Sequence, residues 1–388
     1  MKKDNSKVLL ALTSAAMILP GISKNVHASP IDPSTTFDYK FSHYEEGSLP
    51  ASEGQGAQKR YTVDANQFKF KTPVLTDAEI TITGVHESMS GASPWYIVPD
   101  GDKALQIMSG ATIEEERNEV GAAYRSYNKE TNSETTFSTG YSKENDYRSL
   151  SFGFSGAFYV NQQLTTLEYG VNTSKDYIDA SEPNKTTPPR PTNEMKNRLG
   201  MFAGASHIVT KNTLVGATFS YALIDGYLAD PYKRAFIVGT GPVNDSRPYW
   251  NEQFALSLML RQFFPNLNGA LHADYRFYTS TWNVDSNTLE LSWYQNLGNG
   301  WQIIPSIRTY KQTKAEFYQP YYLTTRVDGY YSSDYRLSDF SANSGSLKLL
   351  KAFDSYTVNI SYEKYDSSGS NPGLISYDFY SLGVSKKF

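Results

Sequence analysis

The chain has 388 residues, of which 39% are hydrophobic and 20% are charged, and its formal net charge is -4. This near-neutral balance argues against a nucleic-acid partner, because such proteins usually carry a strongly basic surface. The sequence contains no Cys, which excludes disulfides, thiol chemistry and cysteine-ligated zinc.

The N-terminus has the features of a secretory signal peptide. Three lysines within the first seven residues precede an apolar stretch, Val8 to Pro20, that is too short to cross a bilayer. Compact residues at 26–28 then provide a cleavage site. We therefore predict a signal peptide at 1–28 and a mature chain at 29–388. No apolar stretch of the mature chain reaches the roughly 18 residues of a transmembrane helix.

Apolar and polar residues alternate along almost the whole mature chain. Leu271, Ala273 and Tyr275, for example, alternate with His272 and Asp274. A period of two indicates strands with two unlike faces. Most of these strands exceed the usual 5–6 residues and reach the roughly 9–11 that a tilted strand needs to cross a membrane. The sixteen predicted strands, for which a total of 14 to 18 is also compatible with the pattern, are 37–45, 59–70, 76–88, 113–127, 132–142, 146–160, 163–177, 195–209, 213–227, 247–263, 268–282, 284–297, 301–316, 335–350, 354–366 and 373–388.

The connections between these strands alternate in length. When both chain ends face the periplasm, a barrel has short inner turns and long outer loops. A soluble β-sandwich has no reason to sort its loops in this way. We therefore predict an all-β fold, a transmembrane antiparallel β-barrel in the outer membrane of a Gram-negative bacterium. The short connections are 71–76, 128–131, 161–163, 209–212, 264–267, 297–300 and 351–355, the long ones are 89–112, 178–194, 228–246 and 317–334, and 143–145 and 283 are short exceptions on the outer side.

The loop at 89–112 is unusual because its body is apolar. Ser-Gly-Ala turns at 90–92 and 109–111 frame the apolar segment from Pro94 to Val98. Since exposure of such a segment to water is unfavourable, one expected position is inside the lumen, as a constriction. Trp95 and Tyr96 would then point toward the barrel axis, with Arg117, Glu119 and Arg125 close by on the wall. A position on the rim of the barrel is the open alternative.

Six tyrosines lie in the segment 318–335. Tyrosine offers a large rigid contact for a partner, and it also forms girdles at the level of the lipid headgroups. The sequence favours a girdle here.

The last predicted strand ends on an aromatic residue. Counting back in twos from Phe388 gives Lys386, Val384, Leu382 and Tyr380, so one face of the strand is mostly apolar. An aromatic last residue on an alternating strand is the pattern that the barrel assembly machinery of the outer membrane recognises. We predict that Tyr380, Leu382, Val384 and Phe388 form this assembly signal.

Several short blocks give the chain a resemblance to a known family. They are Arg60 to Asp64 (RYTVD), Glu87 to Trp95 (ESMSGASPW), Met108 to Ala111 with Glu116-Arg117, Tyr141 to Tyr147 (YSKENDY) and Tyr330 to Ser338 (YYSSDYRLS). Over most of its mature length the chain resembles a bacterial outer-membrane β-barrel family that is classed as a domain of unknown function. The resemblance implies the barrel fold and no assigned activity. Relatives are often encoded near a periplasmic flavin-attaching enzyme and a small lipoprotein, which implies a redox-linked envelope system.

The inward faces of the predicted strands carry charges of both signs. Opposed charges along a barrel wall pass small polar solutes and reject apolar ones, while a barrel filled by salt bridges is the alternative interpretation. Because the two signs balance, no strong ion selectivity is expected. The basic residues are Arg117, Arg125, Arg198, Arg261, Arg276 and Arg308, and the acidic residues are Glu79, Glu119, Glu168, Asp274, Glu290 and Glu363.

Signals for an enzyme are weak. The histidines of the mature chain are scattered, without the spacing of a paired-His metal site. His86 and Ser88 share a strand face, but a serine nucleophile also needs an orienting group and an oxyanion site. We therefore expect no catalytic residue, no metal and no cofactor, and an outer-membrane hydrolase is the least favoured function.

The leading hypothesis is a porin-like channel or transporter for small polar solutes. The alternative is a structural or docking barrel for an envelope partner, either a periplasmic protein or a lipoprotein. In both cases outer-membrane lipid surrounds the barrel. Conduction in a planar bilayer separates the two hypotheses, because a plugged scaffold would not conduct.

Overall fold

The computed structural model describes residues 31–109 and 113–388. The predicted signal peptide at 1–28 lies outside the described residues, as do residues 110–112 of the apolar loop. Within the described ranges, no helix is long and apolar enough to cross a membrane. Three short 3-10 turns occur at Pro183–Lys185, Pro265–Leu267 and Tyr335–Leu337. The strands are β1 (Thr36–Glu46), β2 (Gly54–Gln55), β3 (Thr62–Leu75), β4 (Ala78–Gly91), β5 (Pro94–Asp100), β6 (Lys103–Met108), β7 (Ile113–Asn128), β8 (Ser133–Lys143), β9 (Tyr147–Val160), β10 (Thr165–Ile178), β11 (Glu194–Thr210), β12 (Thr213–Gly226), β13 (Arg234–Ile237), β14 (Gly241–Asn244), β15 (Trp250–Phe264), β16 (Gly269–Ser280), β17 (Asp285–Gly298), β18 (Trp301–Gln312), β19 (Phe340–Ala352), β20 (Tyr356–Gly369) and β21 (Ser376–Lys387).

Sixteen of these strands close into one antiparallel barrel. Each barrel strand pairs with its neighbours in chain order, and β1 pairs with both β21 and β3, so the sheet has no free edge. The other described strands form two small sheets, β13–β14 and β2–β6–β5. A closed barrel satisfies the backbone hydrogen bonds of every strand inside the sheet, as surrounding hydrocarbon requires. The predicted all-β barrel and its sixteen strands are confirmed.

Three predicted strands have boundaries four or five residues from the observed ones. The strand predicted at 301–316 ends at Gln312, the strand predicted at 335–350 begins at Phe340, and the strand predicted at 59–70 ends at Leu75. In the second case the residues before the strand form a 3-10 turn, because the Asp334 side chain accepts a hydrogen bond from the backbone N–H of Arg336. A local cap therefore overrides the alternation at this point.

The outer face of the barrel is apolar. Along β9, Leu150, Phe152 and Phe158 point outward and have exposed fractions of 42%, 53% and 43%. Ser149 and Ser151 alternate with them and point inward. Apolar surface in water is unfavourable by roughly 25 cal/mol per Å², whereas the same surface is compatible with lipid. The alternation therefore produces a lipid-facing wall around a polar interior.

The two ends of the barrel differ in their connections. Thr36, at the start of β1, pairs with Lys387, at the end of β21. The first strand therefore begins, and the last strand finishes, at the same end of the barrel, which is the end with the short turns. The predicted alternation of connection lengths is confirmed, including the two short connections at the other end. Connections at that outer end are 47–61, 92–112, 144–146, 179–193, 227–249, 281–284, 313–339 and 370–375.

The last strand has the geometry that the sequence predicts. Tyr380, Leu382 and Val384 are 48%, 46% and 36% exposed on the outer face of β21, and Phe388 is 66% exposed. These side chains form an accessible apolar row beside the junction with β1. Their role as an assembly signal remains a prediction.

Labelling of single cysteines on whole cells tests the orientation of the barrel. A Lys185→Cys variant, in connection 179–193, should react with a membrane-impermeant reagent because long loops face the medium in barrels of this type. An Asp354→Cys variant, in a short turn at the other end, should stay unlabelled. The background is clean because the chain has no native Cys. Label at position 354 without label at position 185 would reverse the orientation.

Candidate functional site: the lumen and its loop cover

The charged residues predicted to line the lumen lie at inward positions of barrel strands. Arg261, for example, alternates with the outward-facing Leu258 and Leu260, and its guanidinium contacts the inward carboxylate of Asp274. Their part in passing a solute remains a prediction. The inward set is Glu79, Arg117, Glu119, Arg125, Glu168, Arg198, Arg261, Asp274, Arg276, Glu290, Arg308 and Glu363.

Some of these charges are neutralised by ion pairs and some are not. Arg117 lies 2.8 Å from a carboxylate oxygen of Glu87, and Arg261 lies 2.7 Å from one of Asp274. Arg125 is likewise paired, with Glu79 and Glu134. By contrast, no carboxylate oxygen of the described residues lies within 4.0 Å of a guanidinium nitrogen of Arg198, Arg276 or Arg308. The lumen therefore combines a salt-bridged part with arginines that have no carboxylate partner among the described residues.

The lumen wall has two unlike halves. Strands β7–β12 present mostly glycine and other small residues between their ends, whereas β15–β21 and β1 present long charged and aromatic side chains. The small-residue half includes Gly121, Gly140, Ser151, Gly153, Ser155, Gly170, Asn172, Gly200, Gly204 and Gly216, and the opposite half includes Lys40, Arg276, Tyr278, Tyr294, Arg308, Tyr310, Lys348, Tyr365 and Tyr377.

Glycines keep the small-residue half flat. A Cβ atom on Gly200 would lie 2.7 Å from the side chain of Asn172, and one on Gly170 would collide with the ring of Phe202. These neighbouring side chains lie across the wall because the glycines leave room for them. Asn172 and Arg198 point inward and are nevertheless exposed. Space accessible to water therefore exists inside the barrel along this half.

The loops at the outer end contact one another across the barrel mouth. Connection 92–112 follows β4 and connection 227–249 follows β12, with five strands between β4 and β12. The Lys233 ammonium donates a hydrogen bond of 2.7 Å to the carbonyl of Pro94. The ring of Tyr96 stacks on that of Phe236, with centroids 6.3 Å apart. We refer to the joined outer loops as the loop cover.

The structure places Trp95 and Tyr96 in this cover. Both lie on β5, which forms a hairpin with β6, and β6 pairs with β2 of connection 47–61. Arg117 is near the outer end of β7, but Arg125 is eight residues farther along, about 26 Å away. The expectation that Arg125 lies close to this loop is therefore wrong, because the hairpin stays among the other loops. The constriction itself remains a prediction.

A buried network of ion pairs ties two outer loops together. An Asp334 oxygen lies 2.8 Å from an Arg247 nitrogen, and Asp334 also pairs with Arg336. Arg247 and Arg336 in turn pair with Asp245 and Asp230, each at 2.7 Å. We call these five residues the loop lock. Because the Asp245 and Asp334 side chains are fully buried, loss of one partner leaves a buried charge uncompensated.

Burial and neighbouring charges set the protonation of the lock. Burial by itself raises the pKa of Asp334, but the charges of Arg336, Lys233 and Arg247 hold that pKa well below its usual value. Asp334 is therefore ionised at neutral pH and can hold both guanidinium groups. Burial lowers the pKa of Lys233 to about 8, against the opposing charge of Asp334.

The tyrosine-rich segment 318–335 belongs to the loop cover. Tyr318, Tyr322 and Tyr335 are only 2%, 3% and 5% exposed. The guanidinium carbon of Arg60 lies 5.6 Å from the centroid of the Tyr335 ring. The predicted girdle is therefore wrong for these three tyrosines, because the segment folds back over the mouth and other loops enclose the rings.

The residues considered for a hydrolase are only partly assembled. His86 and Ser88 are exposed on the lipid-facing side of β4, and the His86 Nδ1 atom lies 2.9 Å from Oδ1 of Asn118. Asn118 therefore supplies an orienting group that the sequence did not reveal. In the described part of the chain, however, no hydrogen bond joins Ser88 to His86. Nor is any group of three or more His, Asp or Glu side chains there placed to hold a metal ion.

The sequence alone does not point to the loop lock. Arg247 and Asp334 are 87 residues apart, and neither belongs to a strand. One signal was available, since Asp334 and Arg336 fall in the YYSSDYRLS block that carries the family resemblance. Their charges form ion pairs with Arg247 and Asp230 only because the fold brings two loops together.

Comparison with known proteins agrees with this architecture. The sequence matches the model of a family described as a protein of unknown function (DUF3570) over residues 9–380. The chain belongs to this family. A search of curated proteins found no match.

Solved structures of outer-membrane proteins are similar to this DUF3570 barrel at very low sequence identity. The chain is similar to a "Bacterial polysaccharide outer membrane secretin", with 9% identity, a TM-score of 0.50, and coverage of 92% of this chain and 99% of that chain. It is also similar to Pseudomonas aeruginosa OpdQ, with 8% identity, a TM-score of 0.43, and coverage of 92% and 99%. A third is a BenF-like porin from Pseudomonas fluorescens Pf-5, with 7% identity, a TM-score of 0.44, and coverage of 92% and 99%.

The fold and its apolar exterior give the location of the DUF3570 chain. A closed barrel of sixteen antiparallel strands, with large hydrophobic side chains exposed around its outside, is built for a lipid bilayer. Barrels of this kind belong to the outer membrane of Gram-negative bacteria, and this chain is one of them.

Proposed function

We propose that the barrel is a channel for small polar solutes whose outer mouth is narrowed by the loop cover. The observation that carries the proposal is the accessible inward surface of the small-residue half, where Asn172 and Arg198 point into the lumen and remain exposed. A barrel filled by packed side chains would bury such residues. The glycines at this wall leave space, and space is the first requirement of a pathway.

The opposite half of the lumen supplies the chemistry that selects a solute. Among the described residues, Arg276 and Arg308 have no carboxylate within ion-pair distance. Glu290 lies on β17, the strand between theirs, and Glu363 lies on β20, two strands from Arg308. A polar solute can exchange its hydration for hydrogen bonds to such groups, whereas an apolar solute cannot. Charges of both signs in one wall fit polar solutes as a class.

Narrowing the small-residue half tests the pathway in planar bilayers. Trp in place of Asn172 should roughly halve the single-channel conductance, because the indole ring would project into the accessible space. The matched control is Val171→Trp, which adds the same side chain one residue away on the lipid face, where Val171 is 40% exposed. Both proteins should retain the heat-modifiable mobility of a folded barrel. Equal conductance of the two variants would place the pathway elsewhere and contradict the proposal.

A docking barrel for an envelope partner is the second candidate, and the loop cover favours it. A mouth crossed by joined loops offers a preformed surface and obstructs passage at the same time. The two functions differ in one measurable respect. A protein that remains non-conducting even after its cover has been removed supports docking, whereas conduction supports the channel.

A further inference from the structure

Three cations lie together on the lipid-facing side of the barrel near its outer end. Lys143 on β8 pairs in register with Arg148 on β9, and Arg148 pairs with Tyr177 on β10. The Arg148 guanidinium carbon and the Lys175 ammonium lie 5.6 Å and 5.5 Å from the centroid of the Tyr177 ring. All four side chains are exposed. We call Lys143, Arg148 and Lys175 the cationic patch.

Within the described part of the chain, no carboxylate oxygen lies within 4.0 Å of a side-chain nitrogen of the cationic patch. In the fully described strands β8–β11, none of the outward positions holds an acidic residue. Lys364 shows the contrast, since this outward lysine on β20 has Asp378 at 3.8 Å. On the neighbouring strand β7, Glu116 lies on the outward face two residues from Asn118, the register partner of Lys143, but no ion pair joins it to the patch. The three adjacent positive charges are therefore available to an anionic ligand.

An apolar groove begins directly below the patch on the same wall. It lies between outward side chains of β7–β11, with Phe137, Phe152, Val171 and Leu199 among its lining, and it has a volume of about 640 Å³. Thr173, which also lines the groove, is two residues from Lys175 along β10, about 7 Å away, and Phe152 is four residues from Arg148 along β9, about 13 Å away. Small side chains such as Thr139 alternate with the aromatic rings and form its floor.

We propose that this wall binds one phosphorylated, multiply acylated glycolipid of the outer leaflet. Its phosphates would contact the cationic patch, where guanidinium and ammonium groups form charge-assisted hydrogen bonds with phosphate oxygens. Its acyl chains would lie in the groove, at the depth of the hydrocarbon. The patch is at the long-loop end of the barrel, which faces the outer leaflet in barrels of this type.

The order of these two features along the wall selects the ligand class. A soluble phosphate would need the cations but gain nothing from the groove. A neutral lipid would fill the groove and leave the cations unpaired. A phosphorylated headgroup above several acyl chains matches both features in their observed order.

Binding of a purified bis-phosphorylated, hexa-acylated disaccharide lipid to the full-length barrel in detergent tests the proposal by native mass spectrometry. The variant Lys143→Gln/Arg148→Gln/Lys175→Gln should weaken binding at least about tenfold, since each basic residue near an anionic lipid contributes on the order of 1 kcal/mol. The charge-matched control is Lys311→Gln/Lys351→Gln/Lys386→Gln, which removes three outward lysines away from the patch and should bind within about twofold of the unmodified protein. Thr139→Trp, which fills the groove, should also weaken binding.

Two further ligands identify what the wall recognises. The dephosphorylated form of the same lipid should bind at least about tenfold more weakly, and millimolar inorganic phosphate should not displace the intact lipid. Equal binding of the patch variant and its charge-matched control would overturn the proposal. Equal affinity for the dephosphorylated lipid would exclude phosphate recognition, and full displacement by inorganic phosphate would show a site for a free anion.

If the triple variant does not fold, the single variant Arg148→Gln replaces it, and its binding should also be weaker than that of the unmodified protein. Because no part of this test depends on conductance, its outcome is independent of the proposed channel.

Discussion

Asn in place of Asp334 should open the outer mouth of the barrel and raise its conductance several-fold. Asp334 is buried and pairs with both Arg247 and Arg336 in the loop lock. Removing one member of such a network costs roughly 3–5 kcal/mol, because the remaining charges stay buried without compensation. This cost destabilises the packing of the loops and not the barrel, since the barrel strands keep all their backbone hydrogen bonds. We therefore expect the loops to separate while the barrel stays folded.

Two measurements on the Asp334→Asn protein check this expectation. Single-channel recordings should show larger or longer openings, and trypsin should cleave at Lys233 or Arg234, which are now only 6% and 2% exposed. The matched control is Asp328→Asn, because the ion pair of Asp328 with Arg326 is largely exposed and contributes little to stability. Unchanged conductance together with unchanged resistance to trypsin would show that the loop lock does not hold the cover.

Deleting residues 93–107 should also raise the conductance, and by a larger factor, because it removes part of the cover itself. The hairpin contributes Ile97, which is fully buried, the Tyr96 ring that stacks on Phe236, and the Pro94 carbonyl that accepts the hydrogen bond from Lys233. The barrel should tolerate the deletion. Gly91 pairs with Ile113 across β4 and β7, so a short connection can still join these strands.

The deletion needs a control that leaves the body of the hairpin in place. Asp102→Ser changes only the exposed tip between β5 and β6 and should conduct like the unmodified protein. Equal conductance of the deletion and the tip variant would assign the hairpin to the rim of the barrel. If neither the deletion nor the Asp334→Asn protein conducts at all, the docking barrel becomes the better function.

The strands were predictable because their signal is local. In β16, for example, Leu271, Ala273 and Tyr275 face the lipid whatever the rest of the chain does, so alternation alone assigns their side. The same counting assigns Lys143 and Lys175 to the lipid face. Lys143 is two residues after the outward Tyr141, and Lys175 is two residues before the outward Tyr177. The inward charges follow from the same rule, although their pairing does not.

The loop cover was not predictable because its signals are not local. Tyr335 reads as part of a strand or girdle until Arg60 and Lys233 are known to lie against its ring. The hairpin segment from Pro94 to Val98 is apolar, which correctly indicated burial, but the sequence does not reveal that other loops bury it. Contacts between segments far apart in the chain decide these positions, and a period of two carries no information about them.

The pairing of β1 with β21 also affects how the barrel folds and closes. Until the last strand arrives, the growing sheet has two unpaired edges, and each offers a row of backbone donors and acceptors to any other chain. Thr36 and Lys387 are separated by nearly the entire sequence, so ring closure is the contact of greatest sequence separation in the fold and belongs to the slowest class of folding events. Because β21 is the last strand of the barrel, ring closure requires nearly the whole polypeptide, and both edges stay open to pairing with other chains until it occurs.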